Sequence, residues 1–182
     1  METFATQREF VEHSSFARDR ERNITNLPVK DIDAPILDVI LEFAELEHCF
    51  TQQCCFGHFV HVEQPDVESL LPLPAHDVGE VTYRIAYLAL CIEHSAAGKR
   101  LREALAGITS VDGEYVQFGS PGWFGDRYPN SYALQVEPAR FQFQDQAVVP
   151  HSEALHIQRV RDLGFGRVRS VLGNELREVG TS

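Results

Sequence analysis

Apolar residues recur three and four apart from Ile36 through Val39, Ile40 and Phe43 to Leu46, laying one stripe along a helix over residues 34–47. Asp33-Ala34-Pro35 starts it, with an acid at the N-cap and a proline in the first turn, where no amide hydrogen bond is lost. After Ser95, a good N-cap, the same spacing returns in Leu101, Ala104, Leu105 and Ile108 and predicts a helix over 95–107. Leu155, Val160, Leu163, Val168, Val171 and Leu172 predict a last helix over 152–172, weakened in its middle by Gly164 and Gly166. At the start, Thr6-Gln7-Arg8-Glu9 has the form of a capping box. It predicts an N-terminal helical extension within residues 1–28, running to about residue 22 with Phe10, Val11 and Phe16 inward.

Elsewhere the period shortens. Residues 50–62, FTQQCCFGHFVHV, are rich in β-formers, lack proline and read as extended, with Gly57 marking a bulge, a bend or a close backbone approach. Residues 63–80, with three prolines and five acids, form an irregular surface connection. Residues 81–92, VTYRIAYLALCI, are nearly unbroken in apolar character and predict one central strand buried on both faces. Two more strands fall at 111–118 and 131–137, joined by the loop 119–130, and Phe141 and Phe143 suggest a short edge segment. The pattern describes an α/β (α+β) fold: a mixed sheet flanked by helices in a single domain over residues 1–182.

Composition narrows the function more than the fold. A chain of 182 residues, 43% hydrophobic, buries one sizeable core. Its 27 acidic against 16 basic residues give a net charge of −11, which argues against nucleic acid as a partner. The alternation of Arg18, Arg20 and Arg22 with Asp19 and Glu21 reads as a solvated helix face rather than a phosphate-binding patch. No apolar run approaches the ~20 residues of a membrane span, and the first residues lack the pattern of a signal peptide, so a soluble, cytoplasmic protein is expected. Four cysteines without a C-x-x-C pair suit free thiols.

Candidate chemistry gathers at residues 50–62. Adjacent Cys54 and Cys55 point to opposite faces of an extended chain, so at most one serves a site. Cys55 is the candidate thiolate and His58 its acid or base, provided Gly57 turns the backbone to bring the imidazole round. Glu93 and His94 end a strand just before a helix N-terminus, a position that collects ligands in open α/β folds. Cys54, Cys55, His58, His61, Cys91, Glu93 and His94 all have metal-ligand chemistry. C-C-x-x-H-x-x-H is nevertheless no zinc-finger or ribbon spacing, and alternation separates His58 from His61, so no metal is expected. His151 and His156, five apart, do not share a helix face. No GxGxxG or GKS/T fingerprint is present. Trp123, Phe124, Asp126, Arg127 and Tyr128 in loop 119–130 could close over a ligand or contact a partner.

The run Phe50-Thr51-Gln52-Gln53-Cys54-Cys55-Phe56-Gly57-His58-Phe59, followed by the apolar segment 85–93 and the helix from Ser95 to Leu105, resembles the tRNA wybutosine-synthesis methyltransferase family. That family has a T-x-S-S-C-S-G-R-type strand, which Thr51, Cys55 and Gly57 match. Gln53, Cys54 and Phe56 replace its serines and His58 its arginine. The likeness covers roughly residues 33–108. It implies an α/β domain whose glycine-centred strand helps form a pocket and, if the chemistry transfers, S-adenosylmethionine and a tRNA substrate.

The resulting expectation is an enzyme or small-ligand-binding domain, its cofactor unspecified. Its pocket is lined by Thr51, Cys55, Gly57 and His58, with Glu93 and Trp123 adjoining. The alternatives are a non-catalytic interaction module using loop 119–130 and an RNA-modification methyltransferase. A homo-oligomer is compatible with each.

Overall fold

The computed structural model describes residues 7–141 and 144–179. Its strands, β1 (Cys49–Cys55), β2 (His58–Val60), β3 (Glu80–Arg84), β4 (Ala86–Ile92), β5 (Val116–Gly119), β6 (Ser131–Val136) and β7 (Gln146–Pro150), divide between two sheets. One is four-stranded, in the order β1-β4-β6-β5; the other is three-stranded, in the order β2-β3-β7. Every pairing among the described residues is antiparallel. The class is α+β in one domain, but the expected mixed sheet is corrected to two antiparallel ones. The helix after β4 delivers the chain to β5 at the far edge, and β6 then inserts between β4 and β5, so the two strands with a helix between them never pair.

The helices are α1 (Phe16–Thr25), α2 (Leu37–Glu45, preceded by a 3-10 turn at Ala34–Ile36), α3 (Ala96–Gly107), the single-turn α4 (Gly122–Gly125) and α5 (His151–Val179). The helices over 34–47 and 95–107 form where the apolar stripes place them. Ser95 caps α3 by accepting the Gly98 amide at 3.1 Å. Gly98 is required there, since a Cβ would stand 2.0 Å from the Glu93 carbonyl oxygen. The stripe of α2 is fully buried at Val39, Ile40 and Phe43, each such side chain contributing ~1.5–3 kcal/mol of transfer free energy. It packs with α3 and α5 on one face of the four-stranded sheet against Leu88, Leu90, Ile92, Tyr132, Leu134 and Val136. Gly164 and Gly166 do not interrupt α5, whose 29 residues also run beneath the second sheet. Among the described residues no helix is long and apolar enough to cross a membrane.

Three expectations need correction. The run 81–92 is two strands, because the chain leaves one sheet for the other at Ile85. Residues 7–15 are an arm without helix, since the backbone of Arg8 and Val11 bonds to loop 119–130 instead of closing helical turns. The Val11 amide donates to Asn130 Oδ1 at 2.9 Å, the Asn130 amide donates to the Val11 carbonyl at 2.7 Å, and the Arg8 amide donates to Ser120 Oγ at 2.9 Å. Arg20 lies off the solvated face: its guanidinium donates to the carbonyls of Ala44, Leu46 and Cys49, closing the C-terminus of α2. Strand β7 escaped the hydrophobic pattern, and the capping-box Thr6 and Phe143 of the edge segment lie outside the described residues.

Candidate functional site

The two sheets join at a seam, and the chain passes between them three times, between β1 and β2, between β3 and β4 and between β6 and β7. Gly57 makes the first crossing at φ +88°, a conformation L side chains avoid. A Cβ there would meet Ala86 Cβ at 2.9 Å and both the Ala86 nitrogen and Tyr83 Cε2 at 3.1 Å. Tyr83 secures the second crossing: its hydroxyl accepts the Ala86 amide at 2.9 Å and donates to the Val136 carbonyl at 2.8 Å. From α5, buried Arg161 donates to the Gly57 carbonyl at 3.0 Å while its guanidinium lies 3.9 Å from the Phe56 ring centre.

This bend sets the end of β1 beside the start of β2. Cys55 and His58 come together, and Asp33 joins them, the three ligating atoms lying within 4.8 Å of one another. Asp33 precedes α2, yet its carboxylate makes no capping bond; Oδ2 instead accepts the Phe56 amide at 2.7 Å. The His58 ring is buried, with Nδ1 3.2 Å from the Ser69 carbonyl and Nε2 3.5 Å from Asp33 Oδ2. A carbonyl only accepts, so Nδ1 carries a proton and Nε2 faces the carboxylate.

The cluster opens on a cleft of ~610 Å³, a size suited to a small molecule. Its floor is the sheet face opposite α2, α3 and α5, from Gln53, Tyr87, Ala133 and Gln135. Asp31, Glu68, Arg84 and Asp145 border it on the side of Asp33, and Trp123 and Phe124 of loop 119–130 also line it. Phe124 is buried on Ala89 and Ala133; Trp123 is 54% exposed, with the Arg127 guanidinium 4.6 Å from its ring. Four carboxylates face one arginine, and that arginine is paired with Glu68 at 2.7 Å.

The thiols are not activated. Burial pushes Cys55 up to about 11; the Asp33 charge adds to this, and the Gly57 amide, 3.4 Å from Sγ, opposes it. Burial likewise raises Cys54 to about 12; it packs toward the helix-side core opposite Leu88, while Cys55 pairs with Tyr87 on the cleft face. A thiolate nucleophile needs the reverse shift.

The proposed wall is only partly assembled. Cys55, His58 and Trp123 line the cleft, and Gly57 shapes it through the backbone. Thr51 does not reach it: a β-bulge between Thr51 and Gln53 reverses the alternation, turning Thr51 to the helix side opposite Leu90, where it lines a small recess with Ile24, Leu27 and Ile40. Glu93 also lies elsewhere. Because β1 and β4 run antiparallel, the end of β4 pairs with Cys49, and the Glu93 amide bonds the His48 carbonyl at 2.9 Å. His156 pairs with Asp112 at 3.0 Å, and buried His151 bonds the Pro74 carbonyl. Asp33, Gln53, Arg84 and Gln135 were missed. Only Asp33 gave a local signal, and it pointed to capping.

No protein-family model and no curated protein matches the sequence. Among solved structures, the fold is similar to PH1069 protein from Pyrococcus horikoshii, at 12% identity and TM-score 0.47 over 92% of this chain and 95% of that one. It is also similar to a hypothetical protein from Aeropyrum pernix, at 13% identity and TM-score 0.45 over 78% of this chain and 98% of that one.

Proposed function

We propose that this chain is a cytoplasmic small-ligand-binding domain whose ligand occupies the cleft beside Asp33, Cys55 and His58. The observation that carries the reading is the uncovered sheet face at the seam, where amide, carboxylate and aromatic side chains converge around ~610 Å³. Asp31, Asp33, Glu68 and Asp145 favour a ligand with a positive charge or several hydrogen-bond donors. Tyr87 and Trp123 suit a flat ring, and Gln53 and Gln135 offer amides to read its edge. With the Cys55 thiol held protonated, binding is better supported than thiolate catalysis.

A second reading follows the family resemblance. S-adenosylmethionine joins a sulfonium cation to an adenine ring, a combination that suits an acidic cleft with aromatic walls. A tRNA backbone would meet repulsion from the same carboxylates. Thermal-shift measurements across nucleosides, amines, sulfonium compounds and organic acids test both readings. Stabilisation by a cationic or donor-rich ring compound, lost in Trp123→Ala, is expected. A flat response to every class sinks the cleft reading, and no response to S-adenosylmethionine sinks the second.

A further inference from the structure

The geometry of the Asp33–Cys55–His58 cluster is unexplained by ligand binding alone. His58 directs Nδ1 at the Ser69 carbonyl, 3.2 Å away, which leaves Nε2 turned to Asp33 Oδ2 at 3.5 Å, with Cys55 Sγ within 4.8 Å of both. The side chain of His58 is only 3% exposed, so these ligand-type atoms converge largely out of water. A metal cation placed there would take one donor atom from each of the three side chains.

We propose that Asp33, Cys55 and His58 form a binding site for a thiophilic divalent transition metal, zinc being the first choice, with its fourth position open to the cleft. Tetrahedral zinc, with bonds of ~2.0 Å to nitrogen or oxygen and ~2.3 Å to sulfur, holds its ligand atoms ~3.3–3.6 Å apart. Asp33 Oδ2 and His58 Nε2 already stand 3.5 Å apart, and Cys55 Sγ lies within 4.8 Å of both, so the thiol has little distance to close. Each ligand is oriented from behind. The Ser69 carbonyl fixes the His58 tautomer, the Phe56 amide holds Asp33 Oδ2 at 2.7 Å, and the Gly57 amide lies 3.4 Å from Cys55 Sγ. One thiolate, one imidazole and one carboxylate select zinc or cobalt over magnesium or calcium, which prefer oxygen alone. Three protein ligands and an open position facing a cleft are the arrangement of a zinc that engages a ligand or activates water. Local sequence spacing hides the site, because Asp33 comes from a separate element and Gly57 alone turns His58 toward Cys55.

Binding is an exchange at sulfur: the S–H bond of Cys55 breaks, a sulfur–metal bond forms, and one proton leaves to solvent for each metal bound. The proposal deepens the cleft reading and relies on it only for the role of the open position. Cobalt(II) titrated into chelator-treated protein tests it directly. The expected spectrum is that of four-coordinate cobalt with one thiolate charge-transfer band, at one equivalent, with one proton released per metal in calorimetry across two buffers. Cys55→Ala, a small truncation at a partly buried position, should abolish the charge-transfer band and weaken binding by on the order of tenfold or more. Cys54→Ala should leave both unchanged, and Asp33→Asn, which keeps an acceptor for the Phe56 amide, should weaken binding. An octahedral spectrum without thiolate character, or a Cys55→Ala protein that binds cobalt as wild type does, overturns the proposal. Trp123→Ala separates the two readings: it should leave the cobalt spectrum intact while removing organic-ligand binding.

Discussion

Replacing Gly57 by alanine tests the seam that builds the site. At φ +88° a side chain costs ~1–2 kcal/mol from backbone strain alone. The new methyl would also press on Ala86 Cβ at 2.9 Å and on the Ala86 nitrogen and the Tyr83 ring at 3.1 Å, an overpacking cost of ~1–3 kcal/mol. Loss of glycine freedom in the unfolded chain returns ~0.4–1 kcal/mol, which leaves a net destabilisation of ~2–4 kcal/mol. Gly79 supplies the control. It has nearly the same φ, +81°, but no atom within 4 Å of its added Cβ, so Gly79→Ala bears the backbone cost without the collision. Urea denaturation of both variants, read at unchanged m-value, should show Gly57→Ala the less stable by ~1–3 kcal/mol. Ala86→Gly in the Gly57→Ala background should recover part of that difference. Equal losses in the two glycine variants would refute the close packing of the seam.

Other predictions concern buried ionisable groups. Glu137 is fully buried, with one carboxyl oxygen bonded by the Gln135 amide and the other lacking a partner among the described residues, and burial raises it from 4.5 to about 8. The folded chain therefore keeps a proton that the unfolded chain releases, so stability should fall as pH rises from about 4.5 to about 8 and level off beyond, by at most on the order of 5 kcal/mol. Glu137→Gln should flatten that slope in denaturation curves, and an unchanged slope would contradict the assignment. Cys55, raised from 9.0 to about 11, should alkylate at neutral pH roughly a hundredfold more slowly than an unperturbed thiol of equal access; a rate that saturates below pH 8 would contradict this. Arg161→Leu leaves the Gly57 carbonyl unpaired and should cost ~2–4 kcal/mol in urea denaturation; a loss under 1 kcal/mol would mean that α5 does not hold the bend.

The helical half of the fold was legible because its stripes have nothing to compete with. Asp33-Ala34-Pro35 and Ser95 stand before runs of helical period, and both helices form there. Gly57 was legible as a turning point, since a glycine among β-formers has few other uses. Where the hydrophobic pattern failed, tertiary structure had overridden it. Residues 81–92 carry no break in polarity, and the crossing at Ile85 is set by the Tyr83 hydroxyl, a contact across the fold. The bulge that turns Thr51 away from the cleft leaves no mark in composition, yet one inserted residue reverses every position before it. Glu93 was placed by analogy with parallel sheets, and the antiparallel pairing of β1 with β4 moved it to the opposite end. Asp33 lies 22 residues before Cys55 on another element, beyond the reach of any spacing argument.

The central claim is that the cleft at the seam is where this protein meets its ligand. Amide and indole chemical-shift mapping by heteronuclear NMR, with the panel compound giving the largest thermal shift, tests it most directly. Perturbations should centre on Gln53, Cys55, Gly57, His58, Gln135 and the Trp123 indole, and spare Thr51 and Glu93. A map centred on Glu93 and the start of α3, or one confined to the outer side of loop 119–130, would contradict the account.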